Sequence, residues 1–341
     1  MKAVIFDAVG QPLRTGSRPD PTLAPDEVVL RVAGCGICGS DLHITEDPGP
    51  FGIGPGFVLG HEIAGEVVAA GAEVRDLRPG DRVAVVPMRG CGRCPRCLAG
   101  DPARCPDMVL IGGGYAEYVT VDARQCRRLP EGVALADAAL AEPLAVALHC
   151  IVRSGMKPGD RVAVLGAGPI GLLVAFWARR MGASHVVMAD LHDHQQARAL
   201  ALGATGFALS GPALSENLAD LCGGPPDIVF ECVGKRGLLQ AAAQAVRLQG
   251  KVIGVGLCIG GDDWDPFVAL SKEIDLIFSV FFHQRNEFGV ALDALAAHPF
   301  APQAIVTERI DLSQVPQVFE SLRRRTTQCK VLIQPELSRG E

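Results

Sequence analysis

Residues 161–171 read RVAVLGAGPIG, and this stretch decides the fold. A short β-type run ends in glycines spaced G-x-G-x-x-G, and an apolar helical run follows at once. In such a turn the first glycine allows a tight bend, the second lets a pyrophosphate approach the backbone, and the third lets the helix pack on the strand. The simpler alternative is a strand–helix turn that needs small residues for packing alone. The predicted cofactor-binding residues of this loop are Gly166, Gly168, Pro169, Ile170 and Gly171.

An acidic residue ends the next β-type run, HVVMAD, at the place where a ribose-binding acid is expected. This residue, Asp190, lies about twenty positions after Gly171. A carboxylate there accepts hydrogen bonds from the adenosine ribose and repels a 2′-phosphate, which favours NAD over NADP. His192, His194 and Arg198 follow closely and weaken that preference.

The composition of the sequence and its pattern of β-type and helical runs divide the chain into two parts. From Lys157 on, β-type runs alternate with amphipathic helical runs, which predicts a doubly wound parallel sheet of the Rossmann type over residues 153–285. Val255 and Leu257, at the end of one run, are expected to line the nicotinamide pocket. Residues 1–152 are rich in Gly and Pro with short β-type runs, and the last runs, TERIDL and CKVLIQP, are expected to return to them. Residues 1–152 and 286–341 are therefore predicted to form a second, mainly β domain.

Bulk properties exclude several classes of partner. The 341 residues carry a net charge of −6, which argues against nucleic acid and anionic membrane surfaces as partners. No apolar run approaches the roughly 18 residues of a membrane span. The first residues, MKAVIFDAVGQP, lack the order of a signal peptide, so the cytoplasm is the expected location.

Four of the twelve cysteines are clustered in the stretch CGRCPRCLAGDPARC. Their C-x₂-C-x₂-C-x₇-C spacing predicts a tetrahedral zinc site, and four thiolates leave no open coordination position, so the role would be structural. An iron–sulfur cluster and a redox dithiol are the competing interpretations, while disulfides are disfavoured in this compartment. The predicted ligands are Cys91, Cys94, Cys97 and Cys105.

A second group of metal-binding residue types lies in CGICGSDLH and GHEIAGEV. Cys38 supplies a thiolate, His61 an imidazole and Glu62 a carboxylate, and Glu142 lies further on in EPLAVALH. Three protein ligands with one exchangeable position are typical of catalytic zinc. Each residue alone has a simpler interpretation: Cys38 could be a core residue, His61 a histidine in a turn, and Glu62 its solvent-exposed neighbour. Only the combination of the three indicates a metal site.

These motifs, with VLGAGPIG, resemble those of the zinc-containing medium-chain alcohol dehydrogenases, and within them the sorbitol, threonine and butanediol dehydrogenase branch. The resemblance covers nearly the whole chain. It implies a GroES-like catalytic domain interrupted by a Rossmann domain, two zinc ions per chain, NAD(H) as cofactor and a dimer or tetramer. It implies Cys38 and His61 as catalytic zinc ligands, Glu62 as a direct ligand, and Glu142 as a ligand or as the anchor of a zinc-bound water.

The resemblance also implies a proton relay and a reaction. Ser40 matches the hydroxyl that takes the substrate proton, and His43 matches the next relay member. A turn-capping serine and a solvent-facing histidine are the plainer alternatives. The expected reaction is NAD-linked oxidation of an alcohol, in particular a secondary one, to a ketone or aldehyde, or the reverse. A zinc-independent reductase and a non-catalytic NAD-binding protein are the alternatives to that class.

The substrate prediction depends on two departures from polyol-oxidising relatives. Ile44 stands where they tend to carry a tyrosine, and an approximate alignment places His283 where they tend to carry an arginine. The loss of both polar groups favours an apolar or singly oxygenated secondary alcohol. Phe51, Phe57 and Ile111 are candidate pocket residues. Polyol or L-threonine oxidation is the alternative.

Overall fold

The computed structural model describes residues 1–297, 302–324 and 327–337. They form two compact units. Unit 1 comprises Met1–Glu142, His283–Ala297 and the described residues from Val306 on, and unit 2 comprises Pro143–Phe282 and Pro302–Ile305. The first division falls inside helix α3 (Ala141–Ser154), ten residues before the boundary predicted after residue 152. The helix continues past the division because nothing in AEPLAVALHCIVRS interrupts its apolar periodicity.

Unit 2 contains a six-stranded sheet whose strands are all parallel, in the order β13-β12-β11-β14-β15-β16. This order is that of a doubly wound nucleotide-binding sheet, and it reverses between β11 and β14, so the predicted Rossmann-type sheet is confirmed. The strands are β11 Arg161–Leu165, β12 His185–Asp190, β13 Gly206–Leu209, β14 Ile228–Glu231, β15 Lys251–Gly254 and β16 Asp275–Phe278.

Helices follow most of these strands. Helix α4 begins at Pro169, whose missing N–H costs nothing in the first turn, and every residue from Gly171 to Ala178 is buried. Each fully buried Leu, Val or Phe contributes about 1.5–3 kcal/mol of transfer free energy, so this helix is a large part of the unit's core. The helices are α4 Pro169–Arg180, α5 Gln196–Ala201, α6 Leu214–Cys222, α7 Leu238–Ala245 and α8 Pro266–Lys272.

Unit 1 is mainly β, as the sequence predicts. Its largest sheet has seven strands, and the ten-residue strand β3 pairs with β5, β9 and β18. The strands near the end of the chain join this sheet, because Leu332 and Ile333 of β18 pair antiparallel with Gly36 and Cys35 of β3. The strands of this sheet are β3 Glu27–Gly36, β5 Glu62–Ala70, β6 Arg82–Val85, β9 Tyr118–Asp122, β10 Cys126–Arg128, β17 Val306–Ile310 and β18 Lys330–Ile333.

Smaller sheets and short helices complete unit 1. The remaining strands are β1 Lys2–Phe6, β2 Arg14–Ser17, β4 Phe57–Val58, β7 Met88–Arg89 and β8 Val109–Leu110. The helices are α1 Gly39–Glu46, α2 Pro95–Ala99, α9 Phe288–Ala296 and α10 Val315–Leu322. Turns of 3-10 helix lie at Gly49–Phe51, Pro102–Arg104, Ala123–Gln125, Ala136–Leu140 and, in unit 2, Pro302–Ile305.

Some sequence expectations reach beyond the described residues. Residues 298–301, 325–326 and 338–341 belong to the predicted 286–341 segment and lie outside the described part. Within the described part, none of the helices combines the length and the apolar character needed to cross a bilayer.

Candidate metal centres and cofactor site

Three side chains of unit 1 meet in one group. The thiol of Cys38, a ring nitrogen of His61 and a carboxylate oxygen of Glu62 all lie within 4.8 Å of one another. Cys38 precedes helix α1 with extended backbone, His61 directly precedes strand β5, and Glu62 begins that strand. The sulfur, nitrogen and oxygen donors that the sequence singles out are therefore brought together.

Asp41 orients the imidazole of this group. Its Oδ1 lies 3.4 Å from His61 Nδ1, and its Oδ2 accepts hydrogen bonds from Tyr115 Oη (2.6 Å) and from the backbone N–H of Cys38 (3.0 Å). Burial acts to lower the pKa of His61, but the Asp41 carboxylate and Cys38 together raise that pKa well above its ordinary value. With Nδ1 turned to Asp41, Nε2 is the nitrogen left for a metal.

Lys330 holds the carboxylate of Glu62. Its Nζ donates to Glu62 Oε1 at 2.6 Å, to Oε2 at 2.8 Å and to the Ile37 carbonyl at 3.0 Å. Lys330 is 2% exposed and Glu62 is fully buried. Burial acts to lower the pKa of Lys330, but Glu62, Cys38 and Glu142 together raise it. A carboxylate has about four lone-pair sites, so Glu62 keeps capacity for a metal while it accepts from Lys330.

Glu142, in the first turn of α3, lies close to this group but not within the set of three. Burial raises the pKa of Glu142 to about 7; the charges of His61 and Lys330 oppose the rise, and that of Glu62 adds to it. Without further positive charge, the site holds more acidic groups than Lys330 and His61 neutralise. This excess suits a divalent cation.

Gly36 makes room for the Glu62 side chain. It pairs with Glu62 across strands β3 and β5, and a Cβ at Gly36 would lie 1.7 Å from Glu62 Oε2. The backbone of β3 thus passes directly beneath a carboxylate that Lys330 fixes in place.

We expect Gly36→Ala to displace Glu62 and to lower the free energy of unfolding by about 2–3 kcal/mol, because the carboxylate cannot move without losing Lys330. Urea unfolding and metal analysis measure both effects, and the zinc content should fall. Gly39→Ala is the matched control, since nothing lies within 4 Å of a Cβ there. Equal stability of the two variants would contradict a clash between a Cβ at residue 36 and the Glu62 carboxylate.

Helix α1 carries Ser40 and His43 one turn apart, so both side chains lie on one face. His43 Nδ1 lies 3.5 Å from Glu46 Oε2. Arg323 fixes the end of this helix by donating to Glu46 Oε1 (2.9 Å) and to Thr45 Oγ1 (2.7 Å). The helix therefore presents a hydroxyl and an imidazole in the order that the relay requires, next to a surface carboxylate.

The four clustered cysteines also converge. Their sulfurs lie within 4.8 Å of one another. Residues 91–105, which contain all four cysteines, are called the cysteine lobe below. Backbone N–H groups of Arg93 and Cys94 lower the pKa of Cys91 to about 6, which favours the thiolate that metals bind. All twelve cysteines of the chain lie in the described part, and none forms a disulfide.

The glycine loop lies between β11 and α4 in unit 2. Gly166 has a φ of +99°, and a Cβ at Gly171 would lie 1.9 Å from the Gly166 carbonyl oxygen, so two of the three glycines are required by the turn itself. Nothing lies within 4 Å of a Cβ at Gly168. This open space at the N-terminus of an apolar helix is the place where a pyrophosphate would approach.

Asp190 ends β12 beside this loop. Its Oδ2 accepts from the Ala167 N–H at 2.7 Å, and its Oδ1 accepts from the Leu191 N–H at 2.7 Å. The carboxylate is thus held by the backbone at the edge of the loop, with lone pairs left on both oxygens.

The ends of β14 and β15 meet in the same unit. Glu231 Oε1 accepts from the N–H groups of Val233 (2.7 Å) and Gly234 (2.9 Å), and the N–H of Val255 donates to the Glu231 carbonyl at 2.9 Å. A Cβ at Gly234 would lie 2.5 Å from the carbonyl oxygen of Leu257. Val255 and Leu257 thus stand at the carboxyl ends of the strands, on the side of the sheet where such folds bind ligands.

The sequence analysis missed Asp41, Tyr115 and Lys330, which surround the Cys38 group. Asp41 was within reach, because an acid three residues after Cys38 is a capping pattern. A lysine inside the apolar run CKVLIQP was a signal for Lys330, since buried lysines are almost always paired. Nothing in the sequence pointed to Tyr115.

Comparison with known proteins agrees with this geometry. Residues 24–131 match the profile of the alcohol dehydrogenase GroES-like domain, and residues 169–297 match that of the zinc-binding dehydrogenases. Sorbitol dehydrogenase of Bacillus subtilis (strain 168) is 31% identical over 98% of this chain and 97% of that enzyme.

Solved structures show the same likeness. The crystal structure of 2R,3R-butanediol dehydrogenase from Bacillus subtilis superposes with a TM-score of 0.87 and 30% identity, covering 98% of this chain and 99% of that one. A zinc-binding dehydrogenase from Sinorhizobium meliloti 1021, bound to NADP, superposes with a TM-score of 0.87 and 34% identity over the same shares.

Proposed function

Because the chain belongs to the zinc-containing medium-chain alcohol dehydrogenase family and is an alcohol oxidoreductase, we propose that it oxidises a secondary alcohol to a ketone with NAD as hydride acceptor. The observation that carries this proposal is the convergence of the half-buried Cys38 with the buried His61 and Glu62 in one group. A zinc-independent reductase has no use for such a donor set.

The donor chemistry of both groups fits zinc. Cys38, His61 and Glu62 would hold the catalytic ion, with Glu142 as a further ligand or as the anchor of a bound water. The four thiols of the cysteine lobe would hold a structural ion, since they leave no position for substrate. At the first site zinc supplies Lewis acidity, which lowers the pKa of a substrate hydroxyl.

The chain's own residues then handle the proton and the geometry. Asp41 holds His61 and Lys330 holds Glu62, so both donors are oriented before a substrate binds. Ser40 would accept the hydroxyl proton as it gives up its own, and His43, one turn further on α1 and beside the exposed Glu46, would take the released proton toward solvent.

The glycine loop and Asp190 would hold the dinucleotide, which accepts the hydride when bound. The open space at Gly168 accommodates a pyrophosphate, and the negative charge of Asp190 disfavours a 2′-phosphate. The proposed preference for NAD rests on the Asp190 carboxylate. A similar zinc-binding dehydrogenase from Sinorhizobium meliloti is bound to NADP.

We expect Asp190→Ala to lower kcat/KM for NAD by about 10- to 100-fold, because it removes charge-assisted hydrogen bonds worth about 1.5–3 kcal/mol. The kcat/KM for NADP should fall less, so the ratio of kcat/KM for NAD to kcat/KM for NADP should decrease. Steady-state kinetics with both cofactors measure this. Asp193→Ala, three residues further on and exposed, serves as the control. An unchanged cofactor ratio in Asp190→Ala would contradict the proposed role.

We base the proposal of an apolar or singly oxygenated substrate on the residue types at two positions, Ile44 and His283. Ile44 is 3% exposed and packs in the core of unit 1, so this position supplies no hydroxyl. His283 lies against Gly100 of the cysteine lobe, 3.2 Å from a Cβ built there. Phe57 and Ile111 pack beside the same core, whereas Phe51 is exposed. Polyol oxidation is the second candidate, favoured by the likeness to sorbitol dehydrogenase.

A substrate screen on the purified, zinc-loaded protein tests this function. Secondary aliphatic alcohols, 2,3-butanediol, sorbitol and L-threonine are compared with NAD, with and without prior chelation. The proposal expects chelator-sensitive turnover and the highest kcat/KM for an aliphatic secondary alcohol. Faster turnover of sorbitol would select the second candidate, and NADH binding without any turnover would support a non-catalytic NAD-binding protein.

Oligomeric state and location stay predictions. Family resemblance favours a dimer or tetramer, which sedimentation would establish.

A further inference from the structure

A cavity of about 290 Å³ opens beside the cysteine lobe in unit 1. Its wall is built by residues 88–90 and 92, by Cys97, Gly100 and Pro102 of the lobe, by residues 122, 124, 125 and 127, and by residues 284–285. None of Cys38, His61 and Glu62 lines it, so the cavity is separate from the proposed catalytic group.

The wall carries four arginines against one carboxylate, and Cys97 also lines it; a zinc ion held by four thiolates would add two negative charges, so a net positive charge remains. The carboxylate, Asp122, is already engaged, because Arg124 Nε lies 3.0 Å from each of its oxygens and Nη2 contacts Oδ2. Arg89 faces Glu27 at 3.9 Å, the outer limit of an ion pair. The two remaining arginines of the wall are Arg127 and Arg285.

Arg127 and Arg285 pair with no carboxylate in the described part of the chain. Nη1 of Arg127 donates to the carbonyls of Arg124 (2.9 Å) and Cys126 (2.8 Å), and Nη2 of Arg285 donates to the Leu98 carbonyl (3.0 Å). Burial of the half-buried Arg127 lowers its pKa, and the Cys126 thiol acts in the opposite direction. Each guanidinium has five N–H donors, so most remain free for a ligand.

We propose that this cavity binds a small phosphate-bearing anion, a pyrophosphate or a phosphate monoester, between Arg127 and Arg285. A planar guanidinium can donate to two phosphate oxygens at once. The backbone carbonyls that Arg127 and Arg285 contact now do not neutralise the guanidinium charge, whereas a phosphate would. The volume lies just below the ~300–1,000 Å³ of common ligand pockets, which favours a small anion over a whole dinucleotide. A bound anion would tie residues 122–127 to residues 284–285 across the lobe.

Calorimetric titration with inorganic pyrophosphate tests the proposal on the zinc-loaded protein in saturating NADH, which occupies the glycine loop. We expect one site per chain and an affinity that falls steeply with salt. Arg127→Gln and Arg285→Gln should each weaken binding by about tenfold or more, since each removes charge-assisted hydrogen bonds. Arg127→Lys, which keeps the charge but loses the fork, should fall between wild type and Arg127→Gln.

Arg18→Gln, an exposed arginine of the same unit outside the cavity, is the control and should bind as wild type does. Unchanged zinc content and NADH affinity establish that each variant is folded. Absent binding, or equal affinity in Arg127→Gln, overturns the proposal. An oligomer that dissociates in Arg127→Gln without any pyrophosphate binding would assign the cavity to an interface between copies and overturn it as well.

Discussion

His61→Ala is expected to lower NAD-linked alcohol oxidation by at least about a thousandfold and to reduce the zinc content from two ions per chain to one. A Lewis acid at the reacting oxygen is worth several kcal/mol, and about 4 kcal/mol corresponds to a factor of a thousand in rate. NADH affinity should stay at the wild-type value, because His61 belongs to unit 1 and the glycine loop to unit 2. Steady-state kinetics, metal analysis and NADH fluorescence titration measure the three quantities.

His185→Ala is the matched control for this variant. His185 begins strand β12 of unit 2. It belongs neither to the group of Cys38, His61 and Glu62 nor to the four clustered cysteines. It should keep two zinc ions and wild-type turnover. The proposed metal role of His61 would be wrong if His61→Ala also kept both zinc ions and lost less than about tenfold in rate.

Lys330→Met should lower the free energy of unfolding by about 3–5 kcal/mol, the cost of breaking a buried ion pair by removing one partner. The variant leaves the buried Glu62 carboxylate and the Ile37 carbonyl without the ammonium that bonds both. The loss should be larger in chelated protein, where no metal charge remains to face Glu62. Urea unfolding with and without chelator measures both values.

Two further variants separate the lost charge pair from general damage to the strand. Lys2→Met changes an exposed lysine on β1 of the same unit and should stay within about 0.5 kcal/mol of wild type. The double variant Lys330→Met with Glu62→Gln should recover much of the stability, because it no longer buries an unpaired charge. Strictly additive losses in the double variant would contradict a direct pairing.

Local spacing made part of this account predictable from sequence. The glycine loop and the cysteine lobe are contiguous, so their residues must lie together wherever the chain folds, and both were predicted from residue type and spacing. The alternation of β-type and helical runs likewise predicted the parallel sheet of unit 2.

Long-range pairing made the rest unpredictable. Glu62 and Lys330 are 268 residues apart, and Asp41 and Tyr115 are 74 apart, so only the strand order of unit 1 brings them together. Helix α1 was also missed, because GSDLHITE has no apolar periodicity and is fixed instead by Asp41 at its start and Arg323 at its end. The structure adds that Asp190 is bonded to the loop backbone, which its sequence position alone did not indicate.

The central claim is that two zinc ions occupy two separate donor groups of one chain. Anomalous X-ray diffraction from wild-type crystals at the zinc absorption edge tests it most directly. We predict two peaks per chain, one bounded by Cys38, His61 and Glu62 and one bounded by the four thiols of the cysteine lobe. A single peak in the lobe, with no density between Cys38 and His61 in zinc-replete crystals, would contradict the account.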